Sequence, residues 1–376
     1  MAENLPAERV DGIARFVWED LPALRVLARA VSAGLADDKY ISWQYEENPF
    51  AAADRKPLFL HLRKGCVEGQ VGARLVQLKA GASETPAHWI TNLVVRRGLQ
   101  KRGIGTALHR ACVAETGLAL ALDVTPPAER IFLREGAEDI GAVPMYVRAL
   151  DAGVLFARRA VRARRLLAPI ASGVLKAFDR RAARLLRADS VALVGVDRFS
   201  ATADAVWESC APHYPVLVRR DRAYLNWRFA DNPLRRYRLF EVRRGVDPIG
   251  IAVLRVGEWG RVRAGFVVDW LCEPKDAEPL LAACLDVFRA SRVAAVYCLH
   301  ANPVSTGMLR RLGFVRRSRG FRFLVCSGAA GGPGFAGDGR SPKGGASGAD
   351  LVRDLRNWFV TLGDSNVDRP RSPSGG

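Results

Sequence analysis

The sequence lacks several features that define large classes of proteins. It contains no apolar run of about 18 residues, the length that a transmembrane helix needs. Its opening residues, MAENLPAERVDG, are polar and acidic, which argues against a secretory signal. We therefore expect a cytoplasmic protein that does not span a membrane.

Cysteine chemistry is also sparse. The seven cysteines form no CxxC pair and have no histidine at the spacing of a metal site. Most lie among apolar residues, as buried structural thiols do. This pattern predicts reduced cysteines, a cytoplasmic compartment and no bound metal.

Negative charge is scarce relative to positive charge. The 376 residues include 57 Lys and Arg against 39 Asp and Glu, which gives a net charge of +18, and 49 of the cations are Arg. Such a surplus attracts phosphates, anionic lipids and polyanions. However, the aromatic residues do not alternate with the basic ones and no nucleic-acid motif is present, so we do not expect nucleic acid as a partner.

The most informative stretch is Leu93–Arg110, LVVRRGLQKRGIGTALHR. An apolar run predicts a strand over 90–95, a basic glycine-rich turn follows, and a helix is predicted from Ile104. Backbone N–H groups and the positive end of the helix dipole then point to one place, where Gly103 and Gly105 leave room for a phosphate. The alternative is a tight turn in which the glycines serve geometry only.

The pattern Gln-x-x-Gly-x-Gly at residues 100–105, between a strand and a helix, resembles the pyrophosphate loop of the GNAT acyltransferase superfamily. The resemblance implies acetyl-CoA or another acyl-CoA as cosubstrate. It implies that the backbone of the strand end pairs with the pantetheine arm, that an N–H near Val94 polarises the thioester carbonyl, and that the loop holds the pyrophosphate. The cofactor-binding residues would be Leu93, Val94, Val95, Gln100, Lys101, Arg102, Gly103, Ile104, Gly105 and Thr106.

An aromatic segment occurs twice in the chain, at residues 38–50 and 222–234. Five positions match at one spacing of 184 residues: Tyr40 and Tyr224, Trp43 and Trp227, Tyr45 and Phe229, Asn48 and Asn232, Pro49 and Pro233. This period is too long for a solenoid, so we interpret it as two copies of one domain. The aromatic side chains would either pack in the core or stack on a sugar.

Each copy continues with the same predicted order of elements: a hairpin, a fourth strand, a helix, a fifth strand and a short helix that ends at a glycine. In copy one the hairpin turn is placed at Gly65 and Gly69. The order resembles the GNAT arrangement, which implies an α/β fold with a mixed α+β sheet in two tandem GNAT-like acyl-CoA N-acyltransferase domains. The aromatic segment is similar to that of bacterial GNAT proteins of polysaccharide and cell-envelope clusters.

These patterns predict five regions. They are an N-terminal domain over 1–152, a basic linker over 153–189, a degenerate second domain over 190–326, a flexible glycine-rich loop over 327–349, and a terminal strand and tail over 350–376. In the last region, residues 357–362 are predicted to return as a strand beside copy two.

The linker carries a charge of +9 over residues 153–187, with apolar residues interleaved. We expect Pro169 to break it into two helices. One interpretation is a basic amphipathic segment that binds an anionic membrane, at its inner face. The other is a pair of helices packed across both domains with a solvated Arg face.

Copy two lacks the glycine-rich loop. Its equivalent, residues 272–278, has no Gly-x-Gly and carries three acidic residues that would repel a diphosphate. It does have Asn302 eleven residues before Gly313, where the resemblance implies an Asn beside the cofactor; in copy one this position is Thr125. We therefore expect copy one, with Thr125, to bind acyl-CoA.

The proton carriers are the least defined part of the predicted site. The late-helix tyrosine of many GNAT enzymes is replaced by Phe132 in copy one and by Leu309 in copy two. Tyr146 is a candidate acid, and the alternative is that it packs in its strand. His88 is a candidate base because its ordinary pKa suits proton transfer, although strand alternation points it away from Trp89, where the family often has a carboxylate. A water-mediated base is the alternative.

The function expected from these residues is acyl transfer from acyl-CoA to an amine, on an amino sugar or an envelope precursor. Two other classes stay open. The missing tyrosines fit a non-catalytic CoA-binding scaffold, and the positive charge fits a transferase that uses aminoacyl-tRNA.

Overall fold

The structure is a computed structural model of the 376-residue chain. It describes residues 11–31, 36–52, 56–155, 161–260, 262–327 and 347–364. The predicted glycine-rich loop lies largely outside these described residues, as does the tail after residue 364.

The described residues contain strands that we number in chain order. They are β1 (Gly12–Arg15), β2 (Leu58–Arg63), β3 (Cys66–Ala80), β4 (Ser83–Val95), β5 (Leu118–Leu122), β6 (Glu138–Ala149), β7 (Val191–Val196), β8 (Val216–Val218), β9 (Arg238–Arg244), β10 (Asp247–Trp259), β11 (Val262–Cys272), β12 (Ala295–Leu299), β13 (Val315–Ser327) and β14 (Trp358–Phe359).

The helices are numbered in the same way. They are α1 (Leu21–Val31), α2 (Asp38–Tyr45), α3 (Ile104–Val113), α4 (Pro126–Arg134), α5 (Ala152–Leu155), α6 (Val161–Asp189), α7 (Thr202–Cys210), α8 (Arg222–Leu225), α9 (Ala277–Ala290), α10 (Pro303–Arg311) and α11 (Gly348–Arg353).

The chain divides into two compact units that both contain the predicted order of elements. Unit 1 comprises residues 1–141, 231–235 and 322–354, and unit 2 comprises the remainder. In unit 1 the strands β1 to β4 form an antiparallel meander, and α3 connects β4 to the parallel strand β5. In unit 2 the strands β9, β10 and β11 form the meander, and β12 lies parallel to β11 after α9.

Each unit is completed by a strand from the other half of the sequence. Residues 323–327 of β13 pair antiparallel with β5 in unit 1. Residues 145–149 of β6 pair antiparallel with β12 in unit 2. The predicted boundaries, 1–152 and 190–326, follow the repeat in the sequence, and they differ from the compact units because the late strands are exchanged.

The aromatic repeat forms buried helical segments. Tyr40 and Trp43 in unit 1, like Tyr224 and Trp227 in unit 2, have less than 5% of their surface exposed. The side chain of Asp37 accepts a hydrogen bond from the N–H of Tyr40, and that of Asp221 does the same for Tyr224. The repeat therefore extends to the capping residues, and burial favours the core interpretation of the aromatics.

Two local predictions are wrong. The β2–β3 turn lies at Lys64 and Gly65, both with positive φ, while Gly69 is inside β3. A side chain at Gly69 would come within 2.9 Å of Leu108, so this glycine allows α3 to approach the sheet. Pro169 does not break the linker: α6 continues through it as one helix. The missing Pro N–H costs one hydrogen bond at an exposed position, and the following turns are held by packing on α9.

The predicted terminal strand is present as the short β14, which pairs in parallel with β8 inside unit 2. It is followed by a tight turn over residues 362–364. Both β14 residues are 1% exposed, so this segment is part of the core of unit 2.

Candidate functional site

The strands β4 and β5 of unit 1 separate at their carboxyl ends. They pair only at His88 with Ala119 and at Trp89 with Leu120. Beyond Trp89, β4 keeps its pairing with β3 but no longer pairs with β5. The facing strand edges therefore carry backbone N–H and C=O groups that a ligand can use.

A β-bulge shapes β4 at this open edge. Asn92 and Leu93 together oppose the single residue Val71 of β3, and Asn92 has a positive φ of 53°. The amide of Asn92 donates to the Tyr40 hydroxyl at 3.4 Å, which ties the bulge to α2. Bulges bend a strand and leave a residue unpaired in the ladder, so the bulge reorients the backbone of residues 93–95. The predicted residues Leu93, Val94 and Val95 lie here, half-buried.

The glycine-rich loop leads directly into α3. Gly103 stands before the helix with φ of 83°, and its carbonyl accepts the N–H of Ala107 at 3.0 Å. The N–H groups of the next three residues belong to the first helical turn and have no acceptor within the helix. These residues are Ile104, Gly105 and Thr106. The loop and the helix start thus form the expected cluster of backbone donors.

The two glycines of the motif have different tasks. A Cβ on Gly103 would meet nothing within 4 Å, so the space beside it is open. A Cβ on Gly105 would lie 2.9 Å from Ile131 of α4. Gly103 therefore has open space beside it, whereas Gly105 lets α4 pack against α3; that the two glycines admit a phosphate stays a prediction.

The charge around the helix start is positive. Gln100, Lys101 and Arg102 are exposed on the loop. Arg134 of α4 donates to the hydroxyl of Thr106 at 3.4 Å, which places a further guanidinium beside the first turn of α3. Sequence reasoning missed Arg134, because its proximity depends on how α4 packs on α3.

A cleft of about 400 Å³ lies on the other side of this loop. Arg102, Leu99 and Ile104 contribute to it, but so do the carboxylates of Asp11 and Glu68. Arg63 also lines this cleft, so two guanidinium groups offset the two carboxylates. The cleft borders the glycine-rich loop through Leu99 and Arg102 and reaches the first residue of α3 at Ile104.

His88 is not on the open edge. It is fully buried, its Nδ1 lies 2.8 Å from the Thr116 hydroxyl, and its Nε2 lies 3.6 Å from the Cys112 thiol. Burial lowers the pKa of His88 to about 3. Since the His88 imidazole has no exposed surface, an amine substrate cannot reach it. The geometry therefore argues against His88 as the base.

Two other positions that carry catalytic side chains in many GNAT enzymes, 89 and 132, hold packing residues in this chain. Trp89 is buried and stacks on Phe323 with the ring centres 5.5 Å apart. Phe132, which replaces the family tyrosine, is 1% exposed and stacks on His109 at 4.4 Å. These aromatic rings therefore belong to the core of unit 1.

The remaining candidates lie in different units. Thr125 is exposed at the start of α4, directly after β5, and its side chain makes no capping bond. It therefore stands at the same end of the sheet as α3. Tyr146 belongs to unit 2, where it lies opposite Cys298 on β6 and is 2% exposed. Its role as an acid stays a prediction.

In unit 2 the corresponding strands also diverge, but the chain itself fills the gap. The strand β11 pairs with β12 at four positions, ending at Val267 and Cys298. Beyond them, Phe359 of β14 packs against Trp270 and His300, with ring centres 4.9 and 4.8 Å apart. His300 Nδ1 lies 2.9 Å from the Val360 carbonyl oxygen, so its N–H donates to that backbone.

A buried charge network fixes this segment. Arg220 is fully buried and contacts Asp269 at 3.0 Å and Asp364 at 2.7 Å. The Thr361 hydroxyl donates to Asp269 at 2.9 Å. Since Asp364 and Thr361 belong to the segment after β14, the network attaches it between the separated strands.

The start of α9 differs from the start of α3 in charge. Asp276, directly before α9, is buried and pairs with Arg244 at 2.7 Å. Glu278 in the first turn pairs with Arg181 and Arg311, each at 2.7 Å. Carboxylates already occupy the positive end of this helix, which agrees with the expectation that copy two lacks a pyrophosphate loop.

Three further properties concern the described residues alone. Among them, no group of three or more His, Cys, Asp and Glu side chains is arranged to hold a metal ion. All seven cysteines are unpaired, and six of them are buried. In the same ranges, none of the helices combines the length and the apolar character that crossing a bilayer requires.

No protein-family model matches the sequence, and no curated protein matches it either. Solved structures do match. The GCN5-related N-acetyltransferase from Anabaena variabilis is 12% identical with a TM-score of 0.56, over 83% of this chain and 71% of that one.

Two other enzymes share the same architecture. N-myristoyltransferase from Saccharomyces cerevisiae with bound myristoyl-CoA is 10% identical with a TM-score of 0.53, over 87% of this chain and 85% of that one. Eis1 from Mycobacterium abscessus is 16% identical with a TM-score of 0.50, over 85% and 74%. At these identities the likeness concerns the fold: this chain has the mixed α/β fold of the GNAT-type acyl-CoA N-acyltransferases.

Proposed function

We propose that unit 1 binds acyl-CoA and transfers its acyl group to an amine. The observation that carries the proposal is the open edge between β4 and β5, which ends beside the first turn of α3. An unpaired strand edge and a cluster of helix N–H donors at the same end of a sheet suit a ligand with an extended amide arm and a diphosphate.

The residues present fit such a ligand in three respects. The backbone of residues 93–95 is extended and unpaired toward β5, so it can pair with an amide-containing arm. Gly103 leaves open space next to the helix donors. Lys101 and Arg102 are exposed beside them and supply positive charge for phosphate oxygens.

Bound acyl-CoA would supply an activated acyl group. The contributions of this chain that the geometry supports are positioning and backbone polarisation. The bulge at Asn92 interrupts the β3–β4 register just before Val94, and the hydrogen bond from Asn92 to the Tyr40 hydroxyl fixes the bulge to α2. Trp89, the last residue of β4 that pairs with β5, is buried and gives the start of the open edge an apolar neighbour.

We propose a primary amine as acceptor, with amino sugars as the first candidates. The sequence resemblance to envelope-cluster proteins motivates this choice. The repeated aromatic residues do not support it, because Tyr40, Trp43 and Tyr45 are buried and present no free face to a sugar.

We propose acetyl as the acyl chain. Myristoyl-CoA is the alternative thioester to test, since one of the structural neighbours binds it.

Calorimetry with acetyl-CoA and myristoyl-CoA, followed by thiol release with a panel of amines and amino sugars, tests this function. We expect saturable binding of one acyl-CoA and thiol release that requires an amine. Absence of binding by either thioester would overturn the proposal.

A second candidate is a non-catalytic acyl-CoA-binding protein. It is favoured by the burial of His88 and by the phenylalanine at position 132, since neither residue offers a proton to the gap. Stoichiometric binding without thiol release on any acceptor would favour this function over acyl transfer.

A further inference from the structure

The helix α6 of unit 2 has one face that the described residues leave uncovered. Ile170 is 66% exposed and Val174 is 51% exposed, and both are among the most exposed large apolar side chains of the described chain. Gly173 and Ala177 are exposed on the same face. With a spacing of three and four residues these four positions form one apolar stripe.

The opposite face of α6 is anchored to unit 2. Ala182 is fully buried, and Asp179 accepts ion pairs from Arg148 and from Arg289 of α9. Arg181, seven residues after Val174, lies on the same face as the stripe but farther along the helix, where it reaches Glu278 of α9. The helix is thus held in one rotational orientation, and the exposure of Ile170 and Val174 is a consequence of that anchoring.

The exposed stripe is bordered by cations. Between residues 168 and 188 the helix carries five basic residues, all exposed: Lys176, Arg180, Arg181, Arg184 and Arg187. The single acid in this stretch is Asp179, and it is already shared between two arginines. Glu278 is likewise shared between Arg181 and Arg311. The nearby carboxylates are therefore engaged and leave a net positive surface.

We propose that this face of α6 docks on an anionic lipid surface. Aliphatic side chains that protrude between basic residues gain free energy by entering the boundary of headgroups and acyl chains, while the basic residues contact lipid phosphates. Nucleic acid would account for the cations but not for Ile170 and Val174, because the exposed stripe offers no aromatic ring on which a base could stack. The net charge of +18 adds long-range attraction to the same partner.

Co-sedimentation of the full chain with vesicles tests the docking surface. The vesicles are phosphatidylcholine alone or phosphatidylcholine mixed with phosphatidylglycerol, at low and high salt. The test variant is Val174→Ser with Arg184→Glu on α6. The matched control is Val26→Ser with Arg29→Glu on the exposed side of α1, which makes the same chemical changes in unit 1.

We expect binding only to vesicles that contain phosphatidylglycerol, with loss at high salt. The α6 variant should bind at least tenfold more weakly, while the α1 control should bind as the wild type does. Circular dichroism verifies that both variants are folded. The proposal is overturned by equal binding to both kinds of vesicle, by no binding at low salt, or by equal loss in the control. It is also overturned if transfer RNA binds through α6 and the vesicles do not.

Discussion

The starts of α3 and α9 occupy the same place in the two halves of the chain and have opposite chemistry. At α3, the space beside Gly103 is open next to the backbone N–H groups of the first helical turn, and the exposed Lys101 and Arg102 precede it in the loop. At α9, Asp276 and Glu278 occupy that position and are bound by arginines. The positive end of α3 is thus available to an anion, whereas the positive end of α9 is already neutralised by carboxylates of the chain.

The gaps beside these helices differ in the same way. In unit 1 the edges of β4 and β5 are unpaired beyond Trp89. In unit 2 the segment 358–364 enters the corresponding place and is held by Arg220 and His300. The segment 358–364 is therefore part of the core of unit 2, so we expect its residues to matter for stability and those of the open edge in unit 1 to matter for the proposed binding.

The largest expected effect concerns Arg220. Replacement by alanine leaves Asp269 and Asp364 buried without their counter-ion, which typically costs about 3–5 kcal/mol in the free energy of unfolding. Denaturant titration measures this loss in the free energy of unfolding. Under conditions where the variant is folded, its affinity for acyl-CoA should change little.

Arg222→Ala is the control, because Arg222 is exposed and lies 3.5 Å from Asp204. Surface pairs contribute about 0–1 kcal/mol, so the two variants should differ clearly. Equal stability of both variants would show that the segment after β14 does not fix the core of unit 2.

The second effect concerns the backbone at the start of α3. Gly103→Glu places a bulky acid in the open space at a φ of 83°. We expect acyl-CoA binding to weaken at least a hundredfold, or about 2.7 kcal/mol, as measured by calorimetry.

Gly245→Glu is its matched control in unit 2. Gly245 also has a positive φ, of 60°, and open space beside it, but it lies in the β9–β10 turn. Both substitutions should lower thermal stability by a similar amount, because both strain the backbone. If they weaken binding equally, the ligand does not bind at α3.

The succession of strand, basic turn and helix was predictable from residues 90–113, since apolar periodicity and Gly103 act locally. The repeat of the aromatic segment was also sufficient to predict two similar units. What the sequence could not show depends on long-range packing. The contact of Gly105 with Ile131 and the bond from Arg134 to Thr106 both require α4 to lie against α3.

The same reason explains the larger differences. The residues of β6 and β13 carry no signal of which strand each will pair with, so their exchange between units was not predictable. Pro169 has a strong local preference against a helix interior, and tertiary packing of α6 on α9 overrides it. Strand alternation predicts only that His88 points away from Trp89, and its complete burial, beside Thr116 and Cys112, depends on long-range packing.

A third effect uses the buried histidines. Burial lowers the pKa of His88 to about 3 and that of His300 to about 4. Each therefore stabilises the fold fully above the unfolded pKa near 6.5, and this contribution is lost as pH falls toward the folded pKa, by about 1.4 kcal/mol per pH unit and per histidine.

His88→Gln should make the decline in unfolding free energy between pH 6.5 and 4.5 shallower, and His300→Gln should do the same from the other unit. Denaturant titrations at several pH values measure this. If His88 were instead the base, its variant would lose thiol release and the inflection in the pH profile of that reaction; we expect both to survive.

The smallest effect concerns the loop cations, because exposed charges interact through water. Lys101→Gln with Arg102→Gln should weaken acyl-CoA binding about tenfold at low salt, or about 1.4 kcal/mol, with the difference shrinking as salt screens the phosphates. Lys275→Gln is the counterpart at α9, where the ammonium pairs with Glu273 at 2.8 Å, and it should leave binding unchanged. The relative size of these losses in acyl-CoA affinity is informative. A larger loss from the cation variant than from Gly103→Glu would indicate a general anion-binding patch. A larger loss from Gly103→Glu would identify the backbone donors of α3 as the binding feature, which the start of α9 does not offer.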